Sequence, residues 1–600
     1  MSLPLVANTS DPHSYAKPHE VAISHMHFDW DVQFQAKKLK GKAILTIENK
    51  STASSLWLDS KGLDIEKIWL DNNEKQPVIF KLGTWDPIIG QGLEIAILPQ
   101  TTKVTIQYTT TSKSDAIQWL EPSQTAGKKH PFLFTQGQAI LSRTWFPCQD
   151  SPEVRFTWSA KVKVPKQLMA AMSAENNSSK NKDGVYEFQM TKPVPAYLVA
   201  LSVGNLAYHP FDQRTGVYAE PEMLKKSVFE FQQTAKMVEV AEQLFGTYHW
   251  GKYDLLVLPP SFPFGGMENP CLTFVTPTVI AGDRSLVSLI AHELAHSWSG
   301  NWVTNATWND FWLNEGFTVY CERRIMEKIE GKLYADMLAA LGYQEMLGTI
   351  NELGQDNPAT CLKLKLQGKD PDDGMNDIAY EKGYFLLRLI EEKVGRPYFD
   401  KFLNQYFADF GQKSLGTEQF LEYLQQHLLI PTGNESFFAL VNMWVYQPGL
   451  PEEHYRPVSE RFNQVELRAK EVLSGQPLEK TKVEKWSAHE WVHFLRQITQ
   501  SATITQVTAL DKTHQLTQTG NSEILFQWLS ICIHVSYLPA YNRLEEFVAN
   551  TGRRKFVATL YKQMLTHPTL NERAYIVYEQ AKNNYHAVTR DTVVEMLKKN

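Results

Sequence analysis

The sequence has few cysteines for its length. Five occur among 600 residues, scattered between Cys148 and Cys532, and no two of them form a C-x-x-C pair. An odd and scattered set predicts neither a disulfide framework nor a zinc site built from thiolates. Free thiols persist in a reducing compartment, so we expect the protein in the cytoplasm.

A long apolar run is also missing. The longest, residues 194–206, is interrupted by Ser202, Gly204 and Asn205 and is too short to span a bilayer. Residues 1–17 are polar and contain no basic stretch followed by an apolar one, so the sequence predicts no signal peptide. We therefore expect no membrane partner.

Neither sign of charge dominates the chain. It carries 60 Lys and Arg residues against 66 Asp and Glu residues, which gives a formal net charge of -6. This balance does not predict a basic surface that would attract nucleic acid phosphates, so we expect no nucleic-acid partner. Hydrophobic residues make up 43% and aromatic residues 12%, which is typical of a soluble protein with large cores.

The chain is long enough for several cores, because single cores stop growing near roughly 250–300 residues. Runs with a period of two predict an N-terminal antiparallel β domain over residues 1–206, which ends in a buried strand at 196–203. Mixed strands and helices then predict an α+β domain over residues 207–446. A proline-rich linker at 447–458 precedes a helical domain over residues 459–600.

The individual helices are predicted from their period of 3.6 residues. In the second domain they cover residues 222–245, 285–299, 315–330, 332–347, 380–394 and 400–410, with strands at 253–258 and 272–275. In the third domain they cover residues 523–535, 541–549, 554–565 and 592–598. Ser487 and Glu490 form a capping-box signature, and the short turns between helices predict a helical solenoid.

The chemistry of the chain is concentrated in the segment His292-Glu293-Leu294-Ala295-His296. Residues four apart lie on one face of a helix, so His292 and His296 can bind one metal ion. Glu293 is turned about 100° around the helix axis. It therefore lies beside the metal rather than on it, where its carboxylate can take a proton from a water molecule.

Glu315, nineteen residues after His296, offers the third ligand. Catalytic zinc sites keep three protein ligands and one open position, and two histidines with a carboxylate and a nearby glutamate favour zinc over iron or copper. Glu322 lies two turns beyond Glu315, where it could orient a ligand imidazole. The alternative is a buried helix whose histidines bond to backbone carbonyls, which is disfavoured because unpaired buried polar groups are costly.

The turn Gly265-Gly266-Met267-Glu268-Asn269 precedes the metal helix. Paired glycines let backbone approach a ligand closely, and an extended peptide could bond along that edge. Glu268 is then a carboxylate beside the metal that is not a ligand, which suits the binding of a free α-amino group. Taken alone, it would be interpreted as a solvated turn glutamate.

These motifs carry a resemblance to a known family. Gly-Gly-Met-Glu-Asn, followed by His-Glu-x-x-His and Asn-Glu-Gly, resembles the zinc aminopeptidases of the aminopeptidase N and leukotriene A4 hydrolase family. Segments typical of the leukotriene A4 hydrolase branch cover residues 134–139, 147–150, 259–277, 380–383 and 552–556. The resemblance implies a thermolysin-like catalytic domain with one zinc ion, acting on short peptides that have a free N-terminus.

The resemblance also implies roles near the metal. Glu268 and Gln138 resemble the pair that holds the amino terminus of the substrate. Tyr380 resembles the tyrosine whose hydroxyl stabilises the tetrahedral oxyanion, and a phenol donor suits that task because its hydrogen bond strengthens as charge develops. The neighbouring substrate-binding positions of these motifs are Gln136, Gly265, Gly266 and Met267.

Three further residues have roles implied by the resemblance alone. Arg553 and Lys555 resemble the basic pair that receives the carboxylate of a short peptide, although charge alone would suggest a solvated helix start. Asp372 resembles an acid at the end of the side-chain pocket, which favours a basic first residue.

Two positions depart from the pattern of the family. Phe264 and Met375 stand where mammalian members of the branch have tyrosines near a lipid-epoxide pocket. These departures disfavour epoxide hydrolysis, which stays open as a sole or second activity, and leave peptide hydrolysis untouched. An endopeptidase and a non-catalytic scaffold are further alternatives. We expect a monomer or a loose homo-oligomer.

Overall fold

The computed structural model describes residues 11–599. Residues 1–10 of the polar stretch 1–17, for which no signal peptide is predicted, lie outside the described residues. Along the described chain the order is β, then α+β, then α. The predicted fold class is confirmed, while the residue numbers of the domain boundaries stay predictions.

The first domain is built from strands in three sheets. They are β1 Val21–Gln33, β2 Lys38–Asn49, β3 Ser55–Ser60, β4 Leu63–Leu70, β5 Phe80–Leu82, β6 Gln91–Ala96, β7 Lys103–Thr110, β8 Ile117–Leu120, β9 Phe132–Thr135, β10 Phe156–Lys163, β11 Met169–Met172, β12 Val185–Val194 and β13 Leu201–Gly204. The sheets have the orders β12-β10-β1-β2-β7-β4, β3-β6-β5 and β11-β13-β9-β8. Pairing is antiparallel as expected, except that β1 pairs with β10 in parallel.

The strand predicted at 196–203 is shorter than expected. A 3-10 turn occupies Ala196–Leu198, and the strand begins only at Leu201. The whole stretch is buried, and a continuously apolar run has no period from which a strand could be told from a buried turn. This correction matters for the site because β13 pairs with β9, which leads into Gln136 and Gln138.

The second domain combines a mixed sheet with helices. Its elements are β14 Ala207–Pro210, β15 Thr215–Ala219, α1 Pro221–Phe231, α2 Thr234–Phe245, β16 Tyr253–Val257, β17 Gly266–Met267, β18 Leu272–Val275, α3 Ser288–Ala295, β19 Val303–Asn305, α4 Trp312–Glu330, α5 Lys332–Leu353, α6 Gly383–Val394, α7 Arg396–Asp409, β20 Lys413–Leu415, α8 Thr417–Leu424 and α9 Phe438–Tyr446. The main sheet has the order β14-β15-β16-β18-β17, so β17 is an edge strand.

The helix predicted at 222–245 is two helices. α1 ends at Phe231, and the hydroxyl of Thr234 donates a 2.7 Å hydrogen bond to the Phe231 carbonyl oxygen. That side-chain bond satisfies a carbonyl at the end of the first helix. Both pieces are amphipathic, so the apolar period runs through the break and conceals it.

The third domain is helical. Its helices are α10 Glu460–Leu473, α11 Lys480–Val483, α12 Ala488–Ile498, α13 Ile504–His514, α14 Ser522–His534, α15 Tyr541–Asn550, α16 Arg554–Thr566, α17 Asn571–Ala581 and α18 Ala587–Lys599. Alternate helices contact one another along the series α10, α12, α14, α16 and α18, as in a solenoid. The predicted capping box is confirmed, because Ser487 N donates to Glu490 Oε2 at 2.8 Å and Glu490 N to Ser487 Oγ at 3.4 Å.

The third domain also contacts the first. The ring of His586, which precedes α18, stacks on Phe134 of β9 with centroids 5.8 Å apart. The strand that leads into the predicted substrate-binding glutamines is therefore packed against the helical domain. Over residues 11–599, helices long and apolar enough to cross a bilayer do not occur.

Candidate active site

Two helices form the centre of the candidate site. α3 is shorter than the helix predicted at 285–299 and places His292 in its last turn, with His296 as the C-terminal cap. Glu315 lies in the first turn of α4, which packs against α3. Glycine makes the close reversal between them possible, because Gly300 has a φ of 100° and a side chain there would collide with His296 and Asn314.

The three predicted metal ligands converge. His292 Nε2 lies 3.3 Å from Glu315 Oε2, and His296 Nε2 lies 3.5 Å from the same oxygen. One ligand atom from each residue lies within 4.8 Å of the other two. Among the described residues Glu315 Oε2 has no hydrogen-bond donor although it is buried. An orphaned carboxylate oxygen between two imidazole nitrogens fits a divalent cation, and the donor set of two nitrogens and one oxygen fits zinc.

The Nδ1 atom of each imidazole, on the side away from Glu315, contacts a polar group of the protein. His292 Nδ1 lies 3.1 Å from Glu322 Oε2, and His296 Nδ1 lies 3.0 Å from the carbonyl oxygen of Ser299 and 3.1 Å from Thr318 Oγ1. Such contacts orient an imidazole so that Nε2 points toward a metal. The placement of Glu322 behind His292 agrees with the sequence-based expectation.

Burial and neighbouring charge act differently on the two histidines. Burial lowers the pKa of His296 to about 4, which keeps its ring neutral and its lone pair available. Burial also disfavours a charged His292, but its close contacts with the carboxylates of Glu315 and Glu322 outweigh it and raise the pKa of His292 well above its usual range. Metal binding must displace a proton from such a group.

Glu293 lies beside the ligand cluster, facing the glycine turn. A side chain on Gly266 would collide with the Glu293 carboxylate, so glycine is required there for the carboxylate to approach the backbone of β17. Burial raises the pKa of Glu293 to about 8, with a further contribution from the charge of Glu315. Without a nearby cation this carboxyl group therefore holds a proton, and positive charge brought close to it would produce the ionised form that can act as a general base.

The glycine turn forms the edge predicted from the sequence. Among the described strands, β17 pairs on one side only, with β18, through the register Gly266 to Val275 and Met267 to Phe274. Its other edge is where an extended peptide could pair with the backbone. Gln136, predicted to bind substrate, donates from Nε2 to the sulfur of Met267 at 3.1 Å.

Glu268 is buried directly after β17. Gln138 Nε2 lies 3.5 Å from Glu268 Oε1, so the two residues predicted to hold an amino terminus are neighbours. Burial, with the charges of Glu315 and Glu293, raises the pKa of Glu268 well above its usual range. Three carboxylates therefore crowd one buried space, and cations would relieve their repulsion.

Two residues that support Glu268 were missed by the sequence analysis. Asn301 Nδ2 donates a 2.6 Å hydrogen bond to the Glu268 carbonyl oxygen, and Arg155 Nη2 donates to the Asn301 carbonyl oxygen at 2.7 Å. Arg155 comes from the β domain and Asn301 from the loop after the metal helix. No motif or spacing links residues so far apart in the chain, so the sequence offered no signal.

Tyr380 lies over the ligand cluster. Its ring stacks on His292 with centroids 6.0 Å apart and an interplanar angle of 17°. It belongs to a π-helical turn, Ile378–Lys382, rather than to the start of the predicted helix 380–394. Burial, with the charges of Glu315 and Glu268, raises the pKa of Tyr380 well above its usual range, which keeps its hydroxyl a neutral donor.

The turn that carries Tyr380 is anchored by its three following residues. Glu381 accepts hydrogen bonds of 2.7 and 2.8 Å from Arg323 Nη2 on α4. Lys382 Nζ donates to the carbonyl oxygens of Thr360 and Gln447 at 2.8 and 3.0 Å. Gly383 crosses α4 so closely that a Cβ on Gly316 would lie 2.8 Å from the Gly383 Cα. The crossing brings the Tyr380 turn against Glu315.

The helical domain reaches the glycine turn through its backbone. Gly552 N donates to the carbonyl oxygen of Pro260, and Arg554 N to that of Pro263, both at 2.7 Å. Arg553, between them, is therefore held at the site, and its Nη2 would lie 3.3 Å from a Cβ on Gly265. The interpretation from charge alone, a solvated helix start, is wrong for Arg553, whose side chain is only 11% exposed.

The remaining two predicted residues are Lys555 and Asp372. Lys555 is exposed, with 44% of its side-chain surface accessible, and pairs with Glu345. Asp372 lies in the 3-10 turn Pro371–Gly374, half-buried, and burial together with Asp370 raises its pKa to about 7. The geometry leaves its predicted role at the end of a side-chain pocket untested.

Family models match three segments of the chain. Residues 24–198 match the peptidase M1 N-terminal domain, residues 229–444 the peptidase family M1 domain, and residues 486–597 the leukotriene A4 hydrolase C-terminal domain. Their order along the chain is that of the three structural domains.

Individual proteins are similar over most of the chain. The leukotriene A-4 hydrolase of Xenopus laevis is 38% identical over 98% of this chain and 99% of its own length. Aminopeptidase B of Mus musculus is 39% identical over 74% of this chain and 71% of its own length. The structure of yeast LTA4 hydrolase in complex with bestatin superposes with a TM-score of 0.92 at 30% identity, covering 99% of this chain and 98% of that one.

The similarity in sequence and the similarity in structure to these proteins therefore both extend over nearly the whole length of the chain. The chain belongs to peptidase family M1, and it carries the C-terminal domain of the leukotriene A4 hydrolases.

Proposed function

We propose that the protein is a zinc-dependent aminopeptidase that removes the N-terminal residue from short peptides. The observation that carries the proposal is the crowding of Glu268, Glu293 and Glu315 around two imidazoles in a buried space. Such a site requires positive charge. A metal ion held by His292, His296 and Glu315 supplies part of it, and the ammonium group of a peptide supplies the rest.

The metal ion is proposed to be a single zinc. When bound, zinc supplies Lewis acidity, which acidifies a water molecule and polarises the scissile carbonyl. The orphaned oxygen of Glu315 and the two Nε2 atoms have the chemistry to hold it. The other steps are assigned to side chains of the protein.

Glu293 is proposed to move the proton. Its carboxylate takes a proton from the attacking water molecule and returns it to the amine of the leaving peptide. The positive charge of a bound metal ion and substrate ammonium would favour the ionised form of Glu293, which is the form that accepts the proton. Tyr380 donates a hydrogen bond from its hydroxyl to the oxygen that becomes negative, and this bond strengthens as the charge develops.

Glu268 and Gln138 are proposed to bind the free amino group. Their side chains are neighbours beside the metal cluster, so an ammonium group bound there lies one residue away from the scissile carbonyl. Only the first residue can then be removed. An internal peptide bond has no ammonium group at that distance, which disfavours endopeptidase action.

The length of the substrate is proposed to be limited by Arg553. The carboxylate of Glu293 lies against Gly266, and the guanidinium of Arg553 lies against the adjacent Gly265. An extended residue spans roughly 3.3–3.6 Å, so a carboxylate two residues beyond the cleaved bond is within reach of Arg553. Lys555 contributes charge from further out, and Asp372 is proposed to favour Arg or Lys as the first residue.

Lipid-epoxide hydrolysis is the second candidate, because similar proteins carry the name leukotriene A4 hydrolase. Phe264 and Met375 leave no phenol at two positions where mammalian members of the branch have one. Incubation with an allylic epoxide and analysis of the diol products tests this activity directly.

A panel of aminoacyl-nitroanilides, assayed with and without a chelator, tests the main proposal. We expect hydrolysis that is lost with the metal and restored by zinc, with about one equivalent of zinc bound per chain. Peptides acetylated at the N-terminus should not be cleaved. Cleavage of acetylated peptides, or hydrolysis unaffected by metal removal, would contradict the proposal.

We also propose a cytoplasmic location, which is consistent with five buried free thiols. The oligomeric state is proposed to be a monomer or a loose homo-oligomer, and sedimentation at several concentrations tests it.

A further inference from the structure

The basic pair Arg553 and Lys555 is already paired with carboxylates of the protein. Arg553 Nη1 lies 2.9 Å from Glu523 Oε1. Lys555 Nζ lies 3.0 Å from Glu345 Oε1. Glu523 belongs to α14 of the helical domain and Glu345 to α5 of the catalytic domain, so only the second pair also joins the two domains.

A third cation, Arg496, shares one of these carboxylates. Arg496 Nη2 lies 2.7 Å from the same Glu345 oxygen that binds Lys555. Burial would raise the pKa of Glu345, but the charges of Lys555 and Arg496 outweigh it and hold that pKa well below its usual range. Glu345 is therefore ionised at neutral pH and bridges α12 and α16.

The guanidinium of Arg553 is held in one orientation. Its Nη1 atom is occupied by Glu523, and its plane lies over the ring of Phe556, 4.6 Å from the centroid. Its Nη2 atom is the one that approaches Gly265 in the glycine turn. The pairing with Glu523 thus directs one nitrogen away from the turn and the other toward it.

We propose that Glu523 and Glu345 are positioning residues that set how strongly the enzyme prefers a free C-terminal carboxylate. They hold Arg553 and Lys555 in place and at the same time reduce the positive charge that a substrate meets. A substrate carboxylate binds Arg553 and Lys555 while both remain paired with Glu523 and Glu345. The proposal rests on the proposed function, in which the basic pair binds that carboxylate.

The consequence is a moderate preference for a carboxylate over an uncharged terminus. Truncating one partner of a buried charge pair costs about 2–5 kcal/mol at interfaces, which corresponds to a factor above about 30. Two cations that are already paired should discriminate less. We expect the wild-type enzyme to favour a tripeptide acid over its C-terminal amide by less than about tenfold.

The test replaces each acid with its neutral isostere. E523Q and E345Q keep an oxygen acceptor for the cation and remove the competing charge. The readout is the ratio of kcat/KM for a tripeptide acid to kcat/KM for the same tripeptide amide. We expect this ratio to rise by about three- to tenfold in each variant, mainly through KM, because like charge near the substrate carboxylate is removed.

The matched control is E352Q. Glu352 also lies on α5 and pairs across the same domain interface, with Lys562. It contacts neither member of the basic pair through that bond, so the ratio should stay at the wild-type value. In the double variant E523Q/R553Q the gain of E523Q should disappear, because the proposal requires Arg553 to receive the carboxylate.

An unchanged or lower ratio in E523Q and E345Q, with thermal unfolding close to wild type, overturns the proposal. If both variants fail to fold, calorimetric titration of the wild-type protein decides. An affinity ratio of acid to amide below about tenfold supports the proposal, and one above about 30-fold, the range of an unshared charge pair, overturns it.

The failure of the proposed function would look different. A wild-type enzyme that hydrolyses neither nitroanilides nor tripeptides contradicts the aminopeptidase proposal, while calorimetry still reports how the basic pair discriminates. Nitroanilide hydrolysis without binding of either tripeptide would overturn the carboxylate site and leave the aminopeptidase function standing.

Discussion

Buried carboxylates have pKa shifts of opposite sign in two regions of the molecule. One is the metal cluster around His292 and His296, and the other is the basic cluster formed by Arg496, Arg553 and Lys555. Around His292 and His296 three carboxylates share a space, and burial and mutual repulsion raise the pKa of Glu293 and Glu268. At the domain interface the charges of Lys555 and Arg496 lower the pKa of Glu345. The first cluster needs cations from outside, whereas the second contains its own.

This difference separates the chemical step from substrate selection. A site short of positive charge binds a metal ion and an ammonium group strongly, because both relieve a cost that folding has imposed. A cluster whose charges are already paired gains little from one more carboxylate. We therefore expect changes at the metal cluster to affect turnover by orders of magnitude and changes at the basic cluster to affect selectivity by small factors.

The largest effect is expected for E293Q. An amide cannot accept the proton, so kcat on leucyl-nitroanilide should fall by about 10²–10⁴-fold, the usual contribution of a general base. Zinc content should stay at one equivalent, because Glu293 is not among the three ligands. Zinc analysis of the purified variant is the control, and near wild-type turnover in a zinc-loaded variant would contradict the assigned role.

The second-largest effect on activity is expected for E268A. Loss of the carboxylate should reduce kcat/KM for peptides with a free amino group by about 10²–10³-fold, as a charge-assisted contact of about 3–4 kcal/mol is removed. Q138A, which removes only the neutral neighbour, should lose less. Parallel steady-state assays of both variants check the order, and an E268A enzyme as active as wild type would remove Glu268 from the substrate site.

A smaller effect is expected for R553Q. The KM for a tripeptide acid should rise by about tenfold, which corresponds to about 1.4 kcal/mol. The KM for a nitroanilide, which has no carboxylate, should change much less. The two KM values measured on one enzyme preparation form an internal control, and equal changes in both would show that Arg553 acts on something other than the carboxylate.

The smallest effect is expected on stability, for E345Q. The folded-state pKa of Glu345 is depressed below the ordinary value of 4.5, so its contribution is present above pH 4.5 and is lost as the pH falls through the folded value. E345Q should cost about 1 kcal/mol at pH 7 and less at pH 4. Denaturant unfolding at both pH values measures this, with E352Q as the control, and a cost that does not shrink at low pH would contradict the ion-pair account.

Much of the metal cluster could be predicted because its members are close in sequence. Helical geometry places His292 and His296 on one face, and it places Glu322 two turns from Glu315. The structure brings these side chains together as expected. Their catalytic and ligand roles stay predictions, since distances alone do not test chemistry.

The supporting contacts could not be predicted. Asn301 bonds to Glu268 within the catalytic domain, and Arg155 of the β domain bonds to Asn301. Glu345 contacts Arg496 and Lys555, which lie more than 150 positions away along the chain. Local periodicity carries no information on such pairs. The break in the helix predicted at 222–245 shows the same limit on a smaller scale. The Thr234 hydroxyl bonds to the last carbonyl of α1, while the apolar period continues through the break.

The sequence by itself determined the order of the domains and predicted the residues that carry the chemistry, because spacing on a helix and hydrophobic period are local properties. Only the tertiary structure decided how charge is balanced around that chemistry. Among residues 11–599 it gave Glu268 and Glu293 no ion-pair partner and gave Glu345 two, Lys555 and Arg496. The pKa of a carboxylate depends on burial and on the charges within a few ångströms, and both depend on how distant segments pack.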